Sequence, residues 1–222
     1  MNLLEAITEA NLLATGKATA PTNTSSRYLA LKGFSNVVQK MWQDEPDVQW
    51  NSLAFTASVV AVVSATDTFL IPVTVREISQ LPDDNIHIQH TDGQFTYYTL
   101  VEPDELQKYK RAGMQAVSRK GANLVFAISF TALDPQFGGT VKIPAYGYVT
   151  VLSADSDVLV VDSPTWATFM MAAEYCRTKT SLQYRSDGLV ERASEEMRKM
   201  KQNQEGSEPS TIRFNLSQGR AW

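Results

Sequence analysis

The chain has 222 residues, 20 Lys and Arg against 24 Asp and Glu, and a net charge of −4, so it can bury a real core in one large domain or two small ones. It lacks the concentrated basic face of a protein that coats duplex DNA, and its single Cys176 excludes an internal disulfide scaffold. With no basic-then-apolar opening and no apolar run longer than about half a membrane span, it is expected to be soluble, without a secretory signal, and made in a reducing cytoplasm.

Residues 1–45 predict helix. In NLLEAITEANLLATG, Asn2 sits at a cap position, Glu5 follows three residues later and Gly16 stops the run. In SRYLALKGFSNVVQKMWQDE, Tyr28, Leu31, Phe34, Val38, Met41 and Trp42 fall at helical spacing, and Pro46 ends the pattern. Residues 50–150 change period. FTASVVAVV, DTFLIPVTVREISQL, NIHIQH, QFTYYTLV, NLVFAISF and GTVKIPAYGYVTVL predict roughly six or seven strands. Asp92-Gly93 marks a hairpin, PDELQKYKRA a short helix, and Pro144 with Gly147 an edge strand or bulge. From Ser163 the chain returns to helix, with Pro164 at the first helical position, Trp166, Phe169, Met170, Ala173 and Cys176 as the buried stripe, and a break at Gly188.

The expected fold is α+β. Helices from both chain ends (1–48 and 163–204) form a helical bundle, 49–162 is an inserted antiparallel sheet or sandwich, and 205–222 is an extended C-terminal tail.

Catalytic patterns are missing: there is no Walker A loop, GxGxxG, HExxH, GxSxG or CxxC. His87 and His90 are three apart, so on a strand they face opposite sides and cannot share a metal. Asp155 and Asp157 could offer two carboxylates to a cation but lack a ligand loop, and a turn is expected there, as at Asp83-Asp84. Cys176 is expected to be a buried small hydrophobe, and Glu195-Glu196 part of a solvated helix face. QFTYYTLV, followed by Lys108, Lys110 and Arg111, could stack single-stranded bases; Met170, Met171, Met197 and Met200 fill the core or form a contact surface. No enzyme activity, cofactor or metal is expected.

The tail is the unusual feature. After Pro209, Ile212, Phe214 and Leu216 alternate with Arg213, Asn215 and Ser217, and Arg220 and Trp222 close the sequence. In an extended segment one row can fill pockets while the other meets solvent, so the tail is expected to dock on a neighbouring protein.

The succession LLEAITEANLLATGK, a second helix closing on Trp42, FLIPVTVREISQL, LSADSDVLVVDSPTWATFMMAAEYC and GLVERASEEMRKMKQ resembles the head-to-tail adaptor (connector) proteins of tailed bacteriophages, of the tail tubular protein A type. The resemblance covers nearly the whole chain through order and spacing. It implies a structural protein of the virion neck, made in the host cytoplasm, that forms a homo-oligomeric ring, typically twelvefold. The implied partners are the portal protein, gripped by the helical part and the tail at Ile212–Trp222, and a tail or nozzle protein, with double-stranded DNA passing non-specifically and no membrane involved. Another virion assembly component, or a ligand-binding or hydrolytic β domain, are the alternatives.

Overall fold

The computed structural model describes residues 1–206 other than 47, 60, 61, 63–65, 80, 82, 83, 131–133 and 135. Among them the elements run α1 (Leu3–Thr15), α2 (Ser26–Gln43), β1 (Ala54–Val59), β2 (Thr68–Leu70), β3 (Val75–Ile78), β4 (Ile86–Gln89), β5 (Phe95–Leu100), α3 (Leu106–Ala112), β6 (Ala116–Lys120), β7 (Asn123–Phe126), β8 (Thr140–Gly147), α4 (Pro164–Arg177) and α5 (Gln183–Gly206). The fold is mixed α+β. It divides into a helical unit, Met1–Val48 with the described residues from Val149 onward, and a β unit, Gln49–Tyr148.

The helix starts follow from capping chemistry. At α1 the Asn2 side chain accepts from Glu5 N at 2.8 Å while Glu5 accepts from Asn2 N at 2.9 Å, and Gly16 ends the helix with φ 76°. Ser25 caps α2 and Ser163 caps α4, each accepting a backbone N–H at 3.2 Å. In the helical unit α4 is buried nearly all round, with Ala167, Met171, Ala172, Ala173 and Cys176 fully enclosed, and α1, α2 and α5 pack against it. The alanines Ala167, Ala172 and Ala173 let the neighbouring helices approach closely.

The extended chain that returns from the β unit is held by side-chain amides of α2. Asn36 accepts from Leu152 N at 2.7 Å and donates to Leu152 O at 3.1 Å. Gln39 accepts from Val160 N at 2.7 Å and donates to Thr150 O at 3.2 Å, and Gln43 accepts from Val149 N at 2.8 Å. Spaced i, i+3 and i+7, the three amides lie on one helix face, and Gln39 and Gln43 are buried. They supply the backbone partners that a strand ladder would otherwise provide. Further along, Leu3 N donates to Asp157 O at 2.8 Å and Leu4 N to Asp155 O at 3.2 Å, so the returning chain also satisfies the first free amides of α1.

In the β unit the strand order is β1-β8-β4-β5-β6-β7-β2, with β3 also on β8. This curled sheet encloses an aromatic centre in which Phe126 meets Tyr98 at 4.8 Å, Phe130 at 5.3 Å and Phe69 at 5.5 Å, all edge to face. The hairpin at Asp92-Gly93 joins β4 to β5, with Gly93 at φ 86° as its turn requires.

Four expectations need correction. The sheet is mixed rather than antiparallel, because β5 and β6 pair in parallel across α3. β8 is an interior strand, not an edge: Pro144 lies where β4 gives way to β3, so its missing N–H falls at the gap between the two partners. The irregularity lies on β3, between Val75 and Glu77. The β unit ends at Tyr148 rather than at 162, since α2 draws 149–160 into the helical unit. Finally, the helix break falls at Thr178–Lys179, and α5 runs through Gly188 to Gly206. β-branched Thr178 and Thr180 favour the break, while an exposed Gly188 costs the helix only about 1 kcal/mol.

The amide ladder makes a direct prediction. Gln39→Leu leaves Val160 N and Thr150 O without their side-chain partner at a partly buried place, at up to about 1–3 kcal/mol each. Urea unfolding of this variant is therefore expected to show a loss of about 2–5 kcal/mol; a loss under about 0.5 kcal/mol would mean that the ladder is ornamental.

Candidate functional site

Asp155 and Asp157 are committed to the turn. Asp157 Oδ2 accepts from Ser153 N at 2.7 Å and Ala154 N at 2.8 Å, and Asp155 accepts from the Tyr28 hydroxyl. Lys32 Nζ donates to Ser153 O beside them. The two backbone amides hold the Asp157 carboxyl below the usual carboxylate range, and the hydrogen bond to Asp155, with burial, pushes the Tyr28 phenol up to about 12. Among the described residues no three His, Cys, Asp or Glu are grouped to hold a metal ion.

The two histidines part company as strand geometry demands. His90 is buried, its Nε2 2.7 Å from Thr96 Oγ1 and its Nδ1 3.9 Å from Asp92. His87 lies on the outer face with Phe95 and Tyr97, ring centres 5.3 and 5.4 Å away, and opposite Lys142 on β8. Phe95 and Tyr97 are about half exposed. Of the cations that a stacking platform could use, Lys142 beside the row donates to Ser58 Oγ at 2.9 Å, Lys108 pairs with Glu105 at 3.6 Å and Lys110 with Asp67 at 3.7 Å.

Cys176 is fully buried, its Sγ 4.0 Å from Ala14 O, and burial pushes its thiol up, away from the reactive thiolate. Met170, Met171 and Met200 are buried as well, so these methionines fill the core. Glu195 is exposed on α5, whereas Glu196 is partly buried and pairs with Lys199 at 2.5 Å.

The β unit contains an open cleft of about 900 Å³ lined by Ile78, Ile86, Leu100 and Tyr109 and rimmed by Glu77, Asp84, Glu102, Glu105 and Arg119. Ser79 donates to Asp84 within it, and the polar groups of its described lining are hydroxyls and carboxylates together with Arg119 and Asn85.

More informative are the apolar side chains on the outside of the helical unit. On α2 Leu29, Val37 and Met41 are 58%, 49% and 42% exposed, and on α1 Leu4 and Leu12 are 38% and 44% exposed. Periodicity did contain this signal: α2 is apolar on two sides of its wheel, whereas a surface helix needs only one. Of the residues at helical spacing on α2, Met41 is exposed and Phe34 only partly buried, while Ser35, Gln39 and Gln43 lie inside. The expected docking residues Ile212, Arg213, Phe214, Leu216, Arg220 and Trp222 lie outside the described residues, as does Asp83.

No family model matches the chain, and no curated protein shows significant similarity to it.

The Tyr28–Asp155–Asp157 turn has a defined pH signature. A phenol raised by folding contributes stability that is complete below its free value of about 10 and lost as pH rises through about 12. A carboxyl lowered by folding contributes stability above its free value of about 3.9, lost as pH falls below it. Thermal melts between pH 2 and 12 are expected to show a flattened alkaline limb for Tyr28→Phe and a flattened acid limb for Asp157→Asn. Limbs that match those of the unsubstituted protein would mean that these contacts do not govern its pH response.

Proposed function

We propose that this chain is a structural head-to-tail adaptor of a tailed bacteriophage, one subunit of a ring beneath the portal that joins capsid to tail and lets double-stranded DNA pass. In this reading the helices of the two chain ends form a bundle, the strands an inserted β domain, and 205–222 a tail that docks on the portal. The chain works by positioning partners rather than by catalysis, in the neck of the virion, with a tail or nozzle protein on the far side and about twelve copies in the ring.

The observation that carries the reading is chain order. α1 and α2 come first, Gln49–Tyr148 forms a separate unit, and α4 returns to pack with the first two helices, with α5 packed on α4. Adaptor-like stretches occur in that same succession. Charge balance supports it: at −4 over 222 residues the protein offers little to grip phosphates, as a channel wall that lets duplex slide requires. The alternating tail supports it too, since one row of large apolar side chains suits addition to an exposed sheet edge.

Two measurements test the proposal together. At micromolar concentration the isolated protein is expected to be monomeric or weakly associating, and electron microscopy is expected to show a ring once DNA-filled, portal-bearing heads are added. Deleting residues 208–222 should leave the melting temperature nearly unchanged and abolish binding to those heads. Normal binding by the truncated protein would remove the tail from the docking role, and no binding by the full chain would remove the adaptor role.

A further inference from the structure

We infer that the outer face of α2 is a self-association surface, and that it receives the outer ridge of α1 from a second copy of this chain. The face runs Leu29, Gly33, Val37, Met41 at intervals of four, flanked by Ala30 and Phe34. Leu29, Val37 and Met41 stand out to solvent, and around Gly33 an added Cβ would meet nothing within 4 Å. The chain's own packing therefore gives no reason for glycine there, although glycine is the worst helix former after proline. A notch between two exposed apolar side chains has an obvious use, the close approach of another helix.

The chain itself supplies a ridge that fits. Along α1, Leu4, Thr8 and Leu12 also stand at intervals of four, with both leucines exposed. Thr8 Oγ1 donates to Leu4 O at 2.7 Å, so the hydroxyl of this partly buried residue is spent on its own helix. From Leu4 to Leu12 is eight residues, about 12 Å, the same as from Leu29 to Val37. Large–small–large on one helix thus meets large–notch–large on the other, and two rows of i±4 type interlock at about −50°. Thr8 enters at Gly33, and the pairs of larger side chains straddle the contact.

Size also favours a second copy over a tightly held foreign partner. A strip about 18 Å long and 10 Å wide falls well short of the roughly 800 Å² per partner found in stable complexes. Such a contact is too weak alone but suits one repeated between neighbours held side by side. Because two different faces meet, the contact is heterologous and can close into a ring. The inference rests on the ring reading for that closure, while its test needs no portal.

The experiment mixes two full-length single variants, Thr8→Cys and Val37→Cys, at several hundred micromolar with a short bismaleimide. Native Cys176 is buried and stays unlabelled in the folded protein. A heterodimer at least fivefold above the dimer formed by either variant alone is expected, and adding Gly33→Arg to the Val37→Cys partner should remove it. Gly33→Arg is expected to melt at or above the parent temperature, because arginine favours helix and has open space. Equal cross-linking within either variant alone, no heterodimer in the mixture, or an undiminished product with Gly33→Arg would overturn the inference. A heterodimer from protein that fails to bind portal-bearing heads would uphold this contact and count against the adaptor reading.

Discussion

The helical unit depends on three amide side chains. Asn36, Gln39 and Gln43 bind the backbone of 149–160 from one face of α2, and everything after that segment takes its place from the grip. Residues 153–157 are brought to the start of α1, and Ser163 is left where it can cap α4. Since α4 is the helix on which α1, α2 and α5 all pack, the position of the whole core follows from polar contacts. Hydrophobic burial supplies most of the free energy, but it is not directional. The amides supply direction, and buried amides of this kind tolerate no slip, because each lost pairing leaves a desolvated backbone group.

Local chemistry was legible in the sequence and long-range pairing was not. The capping box at Asn2, the stop at Gly16, the start at Ser163-Pro164 and the hairpin at Asp92-Gly93 all depend on residues within a few positions of one another. Pro144 misled, because a proline excludes a strand interior only where both neighbours run past it, and here one partner strand ends as the next begins. The return segment 149–162 misled for another reason. Its apolar residues look like strand, but its partners are side chains from more than a hundred residues earlier, and no periodicity records that. The opposed histidines and the Asp155 turn were readable because each follows from strand alternation or turn chemistry alone.

The exteriors of α2 and α5 show two ways of meeting water. α5 presents Asp187, Glu191, Arg192, Glu195 and Arg198 to solvent. α2 presents Leu29, Gly33, Val37 and Met41. A scattered exposed leucine is ordinary, but an aligned row on one helix, where another helix of the same unit turns a charged face outward, is not. Such a row adds nothing to the stability of a single copy, and Gly33 lowers helix stability by about 1 kcal/mol. Both features fit a subunit whose surface is shaped by its neighbours.

The grip of α2 on residues 149–160 also fixes a timetable. On the ribosome α1 and α2 emerge first, yet their amide partners and α4 lie beyond the β unit, which must be synthesised in between. Closing so long a loop from an unfolded chain is entropically unfavourable, whereas a β unit that has already folded shortens the effective loop. Early folding of the β unit therefore favours docking of the helices that flank it in sequence. Until α4 is made, α1 and α2 lack the helix on which both pack, which leaves apolar surface open on the nascent chain.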